Sequence, residues 1–122
     1  MAFAGCAGMS DIAEINIFKA LDYIRDNSAA YAKAKAERIY LEEFRKTKKA
    51  MLMRLAEVEG AKSSATQERD AYADPEYRQL LEALRAAVEE EERLRWTIVA
   101  AQAKIEVWRS LSANQRAEAK II

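Results

Sequence analysis

"DPEYRQLLEALRAAVEEEERLRWTIVAAQAKIEVWRS" runs from Asp74 to Ser110. Asp is a good helix N-cap, Pro is preferred at the first helical position, and no breaker follows until about Ser112. At 1.5 Å per residue such a helix extends roughly 55 Å. A row at alternating steps of four and three reads Leu80, Leu84, Ala87, Glu91, Leu94, Ile98, Ala101, Ile105 and Trp108, interrupted only by Glu91. This is the seam of a long helix packed along another. The fold class that follows is all-α.

The C-terminal half of this helix carries more apolar surface than one seam uses. On a wheel of about 100° per residue, Ile98, Ala101, Ile105 and Trp108 fall within about 40° of Leu94. Trp96, Val99, Ala100, Ala103 and Val107 fall within about 60° of the opposite pole. Arg95, Gln102, Glu106 and Arg109 fill one flank, and Thr97 and Lys104 the other. Left bare, the second face would be a sticky patch. Two covers are open: the N-terminal helix, giving a three-helix monomer, or the same segment of a second chain, giving a two-fold dimer. The expectation is a homodimer in which the N-terminal helix helps clasp the partner. The tryptophans sit in register with aliphatic neighbours, which favours packing over the base-stacking role Trp plays in single-strand binders.

Working backwards, Gly60 marks the end of a helix from about 29 to 59. Its expected seam is Ala30, Ala34, Glu37, Leu41, Phe44, Lys48, Met51, Leu55 and Val58. The intervening "AKSSATQERDAYA" is polar and linker-like, with Ser64 and Gln67 able to cap one or two short turns. "DNS" at Asp26–Ser28 predicts a break, with Ser28 as N-cap of the second helix. A short first helix is expected at about 12–25, opened by an Asp11/Glu14 capping box. Residues 1–9 are expected to be disordered and 10–122 to form one helical domain. Two long helices joined by a short segment predict an antiparallel, coiled-coil-like hairpin plus the short N-terminal helix, together a dimeric bundle. A fold-back near residue 67 would set the "RKTKK" cluster (Arg45–Lys49) against the glutamate run Glu89–Glu92.

Composition narrows the chemistry. The 122 residues hold 20 Lys+Arg and 20 Asp+Glu, so global charge selects no partner class. With no histidine and one cysteine, Cys6, the Ser–His and Cys–His nucleophile arrangements, imidazole ligands and Cys-based zinc sites are absent. "FAGC" (Phe3–Cys6) resembles a lipoprotein cleavage box but lacks the basic and apolar segments that precede one. No membrane span, catalytic residue, metal or cofactor is expected, and the bacterial cytoplasm is the expected location. A basic stripe on the second helix, formed by Lys35, Arg38, Arg45, Lys46 and Lys49, spans about 21 Å. It is a candidate contact for nucleic-acid phosphate, or a solubilising face neutralised by nearby acids.

Three stretches resemble small helical proteins of tailed phages and prophages: "AERIYLEEFRKTKKAMLM" (Ala36–Met53), "ATQERDAYADPEY" (Ala65–Tyr77) and "EERLRWTIVAAQAKIEVWRS" (Glu91–Ser110). The piece "AQAKIEVWRS" is the distinctive part. The resemblance implies the early recombination and replication region, beside annealing and single-strand DNA-binding proteins. It supplies no catalytic residues. The function expected from it is a non-enzymatic accessory factor of DNA recombination or replication, with single-stranded DNA or a phage recombination or replication protein as partner. The alternatives are a host-directed inhibitor and a purely structural helical adaptor.

Overall fold

The computed structural model describes residues 15–121. The capping box at Asp11 and Glu14, Cys6 and the expected disordered terminus lie outside them. Among the described residues there are three helices and no strand: α1 (Ile17–Val58), α2 (Ser64–Ala73) and α3 (Pro75–Ile121). No described helix is long and apolar enough to cross a membrane.

Asp74 and Pro75 start α3 as their chemistry predicts. The Asp74 carboxylate accepts from the backbone N–H of Glu76 at 2.8 Å, and its own N–H donates to the carbonyl of Ala71 at the end of α2. α3 then continues past Ser112 to Ile121. A lone serine does not stop a helix that Leu111, Ala113 and Ala117 favour.

Gly60 closes α1. Its φ of 115° lies in the region open to glycine. Its N–H donates to the carbonyl of Glu57 and that of Ala61 to Ala56, the paired bonds of a Schellman cap.

The expected break at Asp26–Ser28 does not occur, because α1 runs through it. The side-chain amide of Asn27 donates to the Tyr23 carbonyl, and the Ser28 hydroxyl donates to the Ile24 carbonyl. Asp26 accepts from the Arg25 guanidinium. Asn27 and Ser28 are satisfied one turn back and Asp26 by its neighbour, so none competes with the helix. The described start of α1 is capped by Asn16, whose side-chain oxygen accepts from the N–H of Lys19 at 3.0 Å.

The polar linker is itself mostly helix. Ser63, one residue earlier than expected, caps α2 by accepting from the Thr66 N–H. Gln67 donates to the Ala61 carbonyl, tying α2 to the turn before it.

The described residues fall into two compact units, 15–29 with 94–121, and 30–93. Described members of the first bury Ala20, Leu94 and Ala101; the second buries Leu52, Ala56, Ala71, Leu80 and Glu91.

The α3 seam is where the row of residues placed it. Leu80, Glu91, Leu94 and Ala101 are buried, and Leu84, Ala87, Ile98, Ile105 and Trp108 are half-buried. The α1 seam is corrected. Ala34, Leu41, Phe44 and Lys48 are half-buried, but Ala30, Glu37, Met51, Leu55 and Val58 face solvent. Arg38, Leu52 and Ala56 take the inward positions. A strict seven-residue row drifts about 20° per heptad around a straight helix. Toward its end α1 also meets α2, where Lys49 bonds Glu68 and lies over the Tyr72 ring. The buried face turns toward that second neighbour.

Candidate interaction surfaces

In the second unit the basic stripe is split by internal bonds. Arg38 is the centre of a compact cluster. Its Nε and one terminal nitrogen donate to the two carboxylate oxygens of Glu91 at 2.6 and 3.0 Å. The other terminal nitrogen donates to Glu42 at 3.0 Å. Glu91 is only 6% exposed. Hydrogen bonds from Glu91 first and Glu42 second raise the Arg38 pKa above its already high ordinary value, so the guanidinium is permanently charged. This cluster accounts for the single acid in the α3 seam: a charge in an apolar row needs a counter-charge within reach. The lone Glu91 was the sequence signal that Arg38 faces inward.

Lys49 is also used internally. It donates to Glu68 at 3.2 Å and sits 4.8 Å over the Tyr72 ring, which is edge-on to Tyr77. Tyr72 first and then Glu68 raise its pKa above the usual lysine value. Lys46 pairs one turn back with Glu43 at 3.2 Å on the open surface. Lys35 and Arg45 are exposed, and among the described residues neither has an ion-pair partner. Arg38 and Lys49 therefore leave the stripe, and Lys35, Arg45 and Lys46 remain on it.

The expected meeting of Arg45–Lys49 with Glu89–Glu92 is not observed. Lys48 reaches Glu76, Lys49 reaches Glu68, Arg38 takes Glu91, and Glu90 pairs with Arg93 at 2.7 Å. In that last pair Arg93 holds the Glu90 carboxyl below its ordinary pKa. Within this unit the contacts ascend along α1 as they descend along α3. They do so in a register that brings residue 48 to 76, because α2 occupies the place assigned to a simple fold-back.

In the first unit the two faces of α3 have different fates. Leu94 is 3% exposed and Ala101 buried. On the opposite pole Trp96 is 58% exposed, Val107 50% and Val99 37%, and Ala100 and Ala103 are also exposed. The start of α1 reaches this row only at Ala100: Lys19, Ala20 and Tyr23 share a shallow cleft with Thr97, Ala100, Ala101 and Lys104, which leaves Trp96, Val99, Ala103 and Val107 outside it. The burial of Ala20 follows from that placement. Small side chains at positions 20 and 101 let the helices approach there. What lies over Trp96 is its own neighbour, the Arg95 guanidinium, 4.5 Å from the ring centroid. On the same flank Arg109 donates to Glu106 at 2.9 Å.

No group of three or more Asp, Glu, His or Cys side chains is placed to hold a metal ion among the described residues. No buried side-chain polar atom among them lacks a partner. Comparison with protein families, characterised proteins and solved structures returns no match for the chain.

Proposed function

We propose that this chain is a non-enzymatic helical interaction protein, an accessory factor of phage DNA recombination or replication. It works as a homodimer in the host cytoplasm, with its α1–α3 pair forming an antiparallel hairpin along its length. The observation that carries the interaction reading is the exposed Trp96, Val99 and Val107 row behind a buried seam on the same helix. Exposed apolar surface of this kind on a helix is characteristic of a protein-binding face. Equilibrium sedimentation tests the dimer: Val99→Glu or Ala103→Glu lowers the apparent mass while circular dichroism stays helical. A wild-type monomer at micromolar concentration overturns it.

The DNA role is supported by the sequence resemblance and by Lys35, Arg45 and Lys46, which are exposed. Three cations on one helix face suit phosphate contact without base reading. Binding then weakens steeply with salt as counterions are released. Lys35→Glu with Arg45→Glu abolishes that binding and leaves the fold intact. Filter binding with single- and double-stranded DNA at low ionic strength decides it, and no retention of either overturns the DNA role. The second reading is a pure protein-binding module, either host-directed or a structural adaptor. It is favoured by the internal use of Arg38 and Lys49, which removes two of five cations from the stripe.

A further inference from the structure

The geometry points to a second copy of this chain seated antiparallel on the Trp96–Val107 face of α3, with the two-fold axis crossing that face at the level of residues 100 and 101 along the helix. This inference rests on the self-association proposed above and adds its direction and register.

The apolar row is large at one end and small in the middle. Trp96 stands at the start, Ala100 and Ala103 follow, and Val107 closes it. In a parallel pair Trp96 would face Trp96 and alanine would face alanine, crowding one layer and leaving the next empty. Turned end for end about Ala100–Ala101, each Trp96 instead lies opposite the gap between the partner's Ala103 and Val107. Each Val99 lies between the partner's Ala100 and Ala103. A wide side chain then meets narrow ones twice, as knobs-into-holes packing requires.

The flank charges follow the same register. In an antiparallel helix pair, residues on one flank meet the same flank of the partner. Arg95, Gln102, Glu106 and Arg109 form that flank here. An axis level with Ala100 and Ala101 brings Arg95 opposite the partner's Glu106. Symmetry repeats it, giving two opposite-charge pairs. Arg95 already leans over Trp96, and Glu106 and Arg109 already hold each other at 2.9 Å. The groups that would rim the interface thus start close to it. The other flank offers Thr97 and Lys104, which this axis sets opposite each other with no like charges meeting.

The test is charge exchange in the full chain, read by equilibrium sedimentation. Arg95→Glu alone and Glu106→Arg alone each weaken dimerisation about tenfold, since each change spoils two symmetric pairs. Arg95→Glu combined with Glu106→Arg restores the affinity to within a few-fold. Positions 95 and 106 are about 16 Å apart along one helix, so the rescue can only cross between chains. A wild-type dimer split by Ala103→Glu but showing no rescue in the exchange overturns the register and leaves self-association standing. A wild-type monomer, or a dimer indifferent to Ala103→Glu, overturns both.

Discussion

Each unit of this protein inverts the usual sorting of residues in its own way. Residues 30–93 bury a charge: Glu91 sits in an apolar seam, held bidentately by Nε and one terminal nitrogen of the Arg38 guanidinium. Residues 94–121 do the reverse and expose a tryptophan and two valines on a helix whose other face is buried. A buried polar group and an exposed large apolar group are the informative exceptions to inside–outside sorting. The first is resolved within the chain, because a bidentate partner is present. The second has no described cover within the chain, which is why function is sought there. The difference separates a residue kept for internal register from a surface kept for a partner.

The sharpest way to break this comparison is to remove one half of the buried pair. Arg38→Leu leaves Glu91 charged in an apolar row, and the melting temperature should fall on the order of 15 °C. Arg38→Leu with Glu91→Leu should recover most of the loss, because apolar residues of similar size replace a buried pair at little cost. If the double variant melts no higher than the single, the pair is not a closed unit.

Next come the buried leucines. Leu52→Ala or Leu94→Ala should cost about 2–5 kcal/mol by cavity formation. Leu55→Ala, at a position that faces solvent, should cost well under 1 kcal/mol by contrast. Denaturant titration compares them, and equal costs at positions 52 and 55 would restore the strict heptad row that the structure rejects.

A smaller effect separates a continuous α1 from a broken one. As an N-cap, Ser28 would lose about 1 kcal/mol on change to alanine. As a helix-interior residue bonded to the Ile24 carbonyl, Ser28→Ala should instead raise stability by a few tenths of a kcal/mol. The sign of the change in denaturant midpoint decides.

The smallest effect is electrostatic. Arg93 lowers the folded pKa of Glu90, so this pair stabilises above the ordinary carboxyl pKa. That contribution fades as pH falls through the lowered value. Both side chains are about half exposed, so Glu90→Gln should shift the melting temperature by no more than about 2 °C at neutral pH. It should shift it by nothing once acid has protonated the wild-type carboxyl.

Much of this architecture was legible before any coordinates. Asp74–Pro75 and Gly60 announce helix ends through chemistry local to one turn: a carboxylate that accepts from an N–H two residues on, a fixed φ, and a positive φ. The α3 seam was legible because its apolar row runs long enough to average out single exceptions. The two-faced composition of residues 94–108 was readable for the same reason. Tertiary contact decided the rest. Asp26–Ser28 can cap or continue a helix with similar ease; the bonds to the carbonyls of Tyr23 and Ile24 that accompany continuation are local, but the local pattern fits both outcomes. Steps of three and four look alike from Lys48 onward, and packing against α2 selected Leu52 and Ala56 over Met51 and Leu55. A cation's partner depends on which helix lies across from it. Glu91 alone in an apolar row called for a cation, but only the fold could show that Arg38 supplies it and that Lys49 turns to Glu68 while Lys35 and Arg45 stay in solvent. Short-range rules act through bonds within one turn and can be read along the chain. Ion pairing and choice of face act across helices, and their outcome depends on distances that no local pattern encodes.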